Sequence, residues 1–364
     1  MRLGYSRALD GVRGIAIALV VGFHAFGWPR GGTLGVDLFF VLSGFLITTL
    51  LLEEQATKKT IALRAFYARR ARRLLPALFV MLTPFLLLAL ASAVTGTIQR
   101  QVFVGLGAAT TFTSNIVVAA HPSSVPAGLI HLWSLAAEEQ FYILWPLLLL
   151  LLLRFGGVRL AGRSLAALLV IAVLYRLELV WRGATVDRLY YGPDTHADSL
   201  LVGCMFGCYF VRGRLPSWLI ASARSRNVAG AIGLLLVGAA AVLIDRLPAV
   251  TAYKALLVPT AFAVTAGVLV VCAVAGDSPI ARVLGLPPLV SLGRISYSLY
   301  LWHLPLLVAF AGLHREFGLR TVAAVAVAVA AAVCSRKFVE LRFLRHRTAP
   351  LRDNLSAAPA AAAV

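Results

Sequence analysis

Within the apolar stretch 9 to 28, Arg13 and His24 are the only ionisable side chains deeper than the boundary residue Asp10. They stand 11 residues apart. At about 100° per residue that separation returns to within about 20° of one azimuth, so both lie on one helical face, about 16 Å apart along the axis. Polar groups in lipid are costly and face a cavity or a partner. An arginine near one water boundary and an imidazole deep in the membrane therefore read as two stations along one path. An imidazole of near-neutral pKa can act there as a general base or as a nucleophile. A snorkelling arginine with a histidine satisfied by a neighbouring helix is the competing reading for this helix taken alone.

Four further stretches carry chemistry. Residues 35 to 48 place Asp37 seven before Gly44 on one face, with Ser43 beside them, so a carboxylate stands above a glycine that admits a close helix; an N-terminal cap beside a packing seam is the plainer alternative. Arg69, Arg70 and Arg73, between Phe66 and Pro76, stack at offsets of three and four, with Arg72 turned away. Guanidinium forks bind phosphates bidentately, so this face suits a phosphate-rich cosubstrate, or lipid headgroups. His131, Glu138 and Tyr142 share a face of the next apolar stretch, with Trp133 and Ser134 in its first turn and Glu139 rotated by about 100° from Glu138. Two adjacent carboxylates there call for a cation or a proton role, either in chemistry or as a structural ion pair. Farther on, Asp194, His196 and Asp198 cluster where another helix begins, as caps or as acceptor-contacting groups, and Ser296, Tyr300 and His303 share a face with Arg294 near its end. A Tyr, Ser and His face more often bonds neighbouring helices than does chemistry, which puts His303 behind the reacting groups. Arg336, Lys337 and Glu340 read as an interfacial anchor.

The elements that must hold these residues are membrane helices. Hydrophobic residues make up 60% of the chain and charged ones 13%, with a mean hydropathy of +0.87; soluble domains are about 25% charged. Ten stretches could cross a layer of about 30 Å: 8 to 27, 34 to 52, 74 to 95, 132 to 153, 164 to 181, 194 to 212, 228 to 246, 253 to 275, 289 to 312 and 318 to 339. The first is not a removable signal peptide, since it contains Arg13 and lacks a small-x-small cleavage site. The expected fold is thus an all-α polytopic bundle of about ten transmembrane helices. Lys and Arg alternate between the connecting segments at roughly three to one, which puts both termini in the cytoplasm. That bias also requires residues 99 to 120 not to cross, despite their apolar character; with Thr110, Thr111, Thr113, Ser114 and Asn115 they read as an outer-face or re-entrant segment.

A formal charge of +19 would suit nucleic acid in a soluble protein, but here the cations sit in short loops beside helices, where topology and anionic lipid account for them. Cys204, Cys208, Cys272 and Cys334 have neither metal-ligand nor pairing spacing, and no metal site is expected. Residues 348 to 364 are low-complexity and expected to be disordered, leaving 1 to 347 as one membrane domain. Nothing specifies an oligomeric state.

The ordered set of LeuAspGlyValArgGly (9 to 14) with Arg13-x10-His24, GlyValAspLeuPhePheValLeuSerGlyPheLeuIle (35 to 47), the Phe66 to Pro76 arginine motif, HisLeuTrpSerLeuAlaAlaGluGluGlnPheTyr (131 to 142) and IleSerTyrSerLeuTyrLeuTrpHis (295 to 303) resembles the acyltransferase 3 family of integral-membrane acyltransferases. The resemblance spans roughly residues 8 to 340. It departs at His196, where arginine is frequent, and at Ala137, where valine is. It implies transfer of an acyl group, often acetyl, from cytoplasmic acyl-coenzyme A to a hydroxyl of a carbohydrate or glycosylated acceptor. It also implies an inner-membrane location and no permanently bound cofactor.

Carried over by motif, His24 is the catalytic histidine, Arg13 its partner, and Arg69, Arg70 and Arg73 the donor-side arginines. On that reading His24 is base or acyl relay, with Glu138 orienting it or relaying protons. Asp37, Ser43, His131, Trp133, Ser134, Tyr142, His196, Asp198, Tyr300 and His303 surround the acceptor or support the site. A cell-envelope polysaccharide, a lipid-linked sugar and a macrolide-type sugar all stay open as acceptors. The rival is an ion-coupled transporter using the same polar residues; the motifs crowd into the first 142 residues, and no internal repeat is evident, which disfavours it.

Overall fold

A computed structural model describes residues 3–96, 99–216, 219, 222–244, 258–274, 278–312 and 317–345. The chain runs through α1 (Arg7–Phe26), α2 (Leu34–Lys58), α3 (Leu63–Val94), α4 (Arg100–Thr110), α5 (Ser114–Ala120), α6 (Leu132–Trp181), α7 (Val186–Tyr191) and α8 (Asp198–Val211). It continues through α9 (Ala223–Leu243), α10 (Val258–Val274), α11 (Pro279–Leu284), α12 (Pro287–Arg294), α13 (Ser296–Ala311) and α14 (Leu319–Ser335). A π-turn (Arg336–Glu340) and α15 (Leu341–Arg345) follow. No strand occurs among the described residues.

Among the described residues six helices are long and apolar enough to cross a membrane, and α8, α10 and α13 are shorter apolar helices. Every expected crossing falls on helix where it is described, yet length and composition alone support six rather than ten. One reason is α6, whose 50 residues would run to about 75 Å as a single rod. Gly157 interrupts it at φ 63, ψ −164, a conformation suited to glycine. Both legs bury side chains in one apolar cluster, Trp145 and Leu149 before the break and Ala161, Leu165 and Ala172 after it. A loop was expected over 154 to 163; the helix is instead interrupted at a single residue.

Residues 99 to 120 form two helices of 11 and 7 residues, each too short to span, separated at Phe112 with φ 54. Asn115 is buried and exchanges hydrogen bonds with Gln140 of α6 at 3.1 and 2.9 Å, while Gln140 Nε2 donates to the Phe112 carbonyl at 2.7 Å. The polar residues of this segment pin it to the start of α6. The 348 to 364 tail, and the start of the 253 to 275 stretch, lie outside the described residues.

Glycines set the central packing. A Cβ on Gly44 of α2 would run into the Leu200 carbonyl of α8, and one on Gly203 of α8 into the Val41 carbonyl of α2, so each backbone occupies the space a side chain would need. Gly11 and Gly14 of α1 are filled in the same way by the Leu284 and Leu289 carbonyls. Helices α1 and α2 thereby stand at the middle, each giving residues to three apolar clusters. Glu340, expected as an interfacial anchor, is instead buried in the π-turn and accepts a hydrogen bond from Ser298.

Candidate active site

Helices α1, α2, α3, α6 and α13 enclose a cleft of about 100 Å³. Arg13 enters from α1, Ser43 from α2, Arg70 and Arg73 from α3, Glu138, Glu139 and Tyr142 from α6, and Ser296, Tyr297 and Tyr300 from α13. Three guanidinium groups face two carboxylates, so the cleft has a surplus of positive charge. Arg73 is exposed and Arg70 half-buried, which marks their end as the mouth. Arg69 is exposed and does not line the cleft, a correction to the expected arginine face. Arg70 and Arg73 are about 60° apart on the helix, and Arg69 lies about 40° beyond Arg73 on the far side.

The carboxylates are tied down. Glu139 receives Arg70 at 3.2 Å, and the same guanidinium lies 3.1 Å from the centre of the Tyr142 ring. Glu138 accepts from both Ser43 and Tyr142 through one oxygen. Asp10 lies 3.8 Å from Arg13 and 3.7 Å from Arg294, and Tyr5 bridges Asp10 and Arg294 through its hydroxyl at 2.8 Å to each. Glu138 is therefore oriented by hydroxyl groups, and Arg13 is steadied by Asp10 of its own helix.

Tyr300 and Ser134 form the other end, their hydroxyls 2.6 Å apart, and Tyr300 also donates to the His131 carbonyl. None of the histidines lines the cleft. They lie past Tyr300, which packs against His131 at 5.2 Å and His303 at 5.6 Å between ring centroids. His303 in turn meets His24, with rings 5.1 Å apart and His303 Nε2 3.3 Å from His24 Nδ1. Arg13 and His24 both face α13, as their spacing requires, with one at the cleft and the other beyond the Tyr300 barrier.

The remaining expected site residues serve other ends. His196 is buried among Phe40, Trp133 and Tyr190, with Nδ1 2.8 Å from the Tyr190 carbonyl and Nε2 3.0 Å from Asp37 Oδ1, which also accepts from Ser199 at 2.7 Å. The Asp37 carboxylate is the charged neighbour of this buried imidazole. Asp198 pairs with the buried Arg176 at 2.7 Å, and Asp194 with Arg188 at 2.5 Å. Asp37, His196 and Asp198 thus have internal partners and do not line the cleft. Tyr297, unremarked in the sequence, lines it and donates to the Leu74 carbonyl at 2.8 Å; its position three before Tyr300 was the available signal. Cys204, Cys208 and Cys272 are buried free thiols and Cys334 an exposed one. No metal-holding group of His, Cys, Asp and Glu occurs among the described residues.

Comparison with known proteins agrees with the motif order. The acyltransferase 3 family profile, described as an acyltransferase domain, matches residues 6–335. The peptidoglycan O-acetyltransferase of Listeria monocytogenes is 31% identical over 313 residues, covering 83% of this chain and 49% of the relative. A Bacillus subtilis protein provisionally named as a peptidoglycan O-acetyltransferase is 33% identical over 84% of this chain and 49% of its own. An O-acetyltransferase of Staphylococcus aureus is 32% identical over 84% and 51%. The chain spans about half the length of these relatives. No solved structure matches significantly. The chain belongs to the acyltransferase 3 family.

Proposed function

We propose that this chain is a membrane O-acetyltransferase that takes an acetyl group from cytoplasmic acyl-coenzyme A and delivers it to a hydroxyl of a cell-wall glycan, with peptidoglycan as the first acceptor to try. The names of the Listeria monocytogenes and Bacillus subtilis relatives supply the acceptor class. The observation that carries the donor is the arginine-mouthed cleft itself, narrow, with surplus positive charge, and ending at Tyr300 beside the histidines. Arg70 and Arg73 meet the donor phosphates at the mouth, the extended pantetheine arm lies along Arg13 and Glu138, and the thioester reaches toward Tyr300. His24 takes the acceptor hydroxyl's proton as the new C–O bond forms; the C–S bond breaks, and the coenzyme leaves as thiol once it regains a proton. Ten crossings with both termini in the cytoplasm put the arginine mouth on the donor's side, in keeping with the distribution of Lys and Arg.

The test is release of free coenzyme A from acetyl-, propionyl- and longer acyl-coenzyme A by protein purified in detergent, with and without a cell-wall extract. Wild type should release it fastest from acetyl-coenzyme A, and His24→Ala should lose about 100-fold or more. Wild-type rates in His24→Ala at equal protein levels would end this mechanism.

A further inference from the structure

The guanidinium of Arg70 is covered on its flat face and only half held on its edge. Its central carbon lies 3.1 Å from the centre of the Tyr142 ring, so the ring takes one face and the N–H donors point outward in the guanidinium plane. Of those donors, Nη2 reaches Glu139 Oε1 at 3.2 Å. Nε lies on the same edge as Nη2 and is buried, and among the described residues it has no hydrogen-bond partner. The edge formed by Nε and Nη2 is one that a phosphate or carboxylate grips with two parallel bonds. Glu139 uses half of it, through one oxygen, at a distance longer than the roughly 2.7–2.9 Å of a close charge-assisted bond.

The other charged pairs make the contrast. Glu138 accepts from the Ser43 and Tyr142 hydroxyls and leaves the Arg70 edge alone. Arg176 and Asp198 close to 2.7 Å with side chains 2% and 0% exposed, whereas those of Arg70 and Glu139 are 24% and 13% exposed. Parting the buried pair would strand two charges; the Arg70 pair stands at the cleft mouth, where an arriving anion can replace the carboxylate. A phosphate that fills Nε and Nη2 takes the very nitrogen that Glu139 holds. The displaced carboxylate then stays close by as a like charge.

We propose that Glu139 is an exchange partner for Arg70: it occupies part of the phosphate-gripping edge, yields it to a donor phosphate, and retakes it as the coenzyme leaves. Glu139 thereby lowers affinity for donor and product alike. That the phosphate belongs to acyl-coenzyme A rests on the proposed function; the exchange at Arg70 does not.

Calorimetric titration of the full chain in detergent with coenzyme A, and separately with inorganic pyrophosphate, tests it. The isosteric Glu139→Gln should lower the Kd for each probe about 10-fold, since a neutral amide competes less well than a carboxylate for a charged donor. Glu138→Gln, the same change of charge in the same cleft, should lower it by about threefold or less. Arg70→Lys keeps the charge and loses the planar edge, so in that background Glu139→Gln should gain about twofold or less. An unchanged or raised Kd in Glu139→Gln would overturn the proposal. So would an equal gain in Glu138→Gln, or one that survives in full in the Arg70→Lys background, because cleft charge alone would then account for it. The expected pattern with pyrophosphate beside no binding of coenzyme A would uphold the exchange and end the proposed donor. Binding of neither probe to any of these proteins would overturn both.

Discussion

Asp37 and His196 form an ion pair defined by its hydrogen bonds. One imidazole nitrogen faces a carbonyl and the other a carboxylate that also accepts from Ser199, so both nitrogens must donate and the ring is an imidazolium. The pair needs both imidazole protons, so its contribution is lost once rising pH removes one of them. The thermal transition in detergent should therefore fall as pH is taken from about 6 to 9. His196→Arg should flatten that dependence, and His196→Leu, which strands a buried carboxylate, should cost about 3–5 kcal/mol at every pH. A transition in wild type that is flat across this range would remove the pair from the account. At the cleft, Arg70→Ala and Arg73→Ala should each raise KM for the acyl donor about tenfold, with Arg69→Ala within twofold of wild type; bidentate phosphate contacts are worth about 1.5–3 kcal/mol, and only the first two residues face the cleft. The shared face of Arg13 and His24 was legible from 11-residue spacing, because helical geometry carries it. The Asp37–His196 pair joins residues 159 apart, a separation at which no local periodicity operates, so spacing left their partners open.

Elements were legible to the extent that apolar length and local breakers define them. The stretches fell on helices where they are described, and residues 99 to 120 formed two helices of 11 and 7 residues, each too short to span. The break of α6 at the single residue Gly157 escaped, since Arg154, Arg159 and Arg163 make the region look like an open loop. The seam between α2 and α8 depends on Gly44 and Gly203, each facing the other helix's backbone. Gly203→Val should destabilise by about 1–3 kcal/mol through overpacking. It should also impair coenzyme A release, because α2 carries Ser43 to Glu138. By contrast, Gly238 on α9 has open space where a Cβ would be, so Gly238→Ala should leave the thermal transition unchanged or slightly raised. Equal losses from the two substitutions would mean that the seam is not special.

For the molecule as a whole, direction matters: the proposed donor is cytoplasmic and the proposed cell-wall acceptor is not, so the proposed function requires a site reached from both sides of the bilayer. The proposed topology has the α2–α3 connection, beside the arginine mouth, inside the cell and the α6–α7 connection outside, in keeping with the distribution of Lys and Arg. The α6 hairpin decides between topologies. If its two legs cross separately, the segment after Trp181 faces the side opposite Gly157; if they do not, every later loop inverts. Thr60 on the α2–α3 connection and Asp187 in the first turn of α7, just past the α6–α7 connection, are exposed. In a Cys334→Ser background, Thr60→Cys should resist a membrane-impermeant maleimide in intact cells and react after permeabilisation, whereas Asp187→Cys should react in both. Labelling of Thr60→Cys in intact cells would put the arginine mouth outside, beyond the reach of cytoplasmic acyl-coenzyme A. A donor entering there would have to come from the envelope, and the proposed direction of transfer would fail even if His24 proved catalytic.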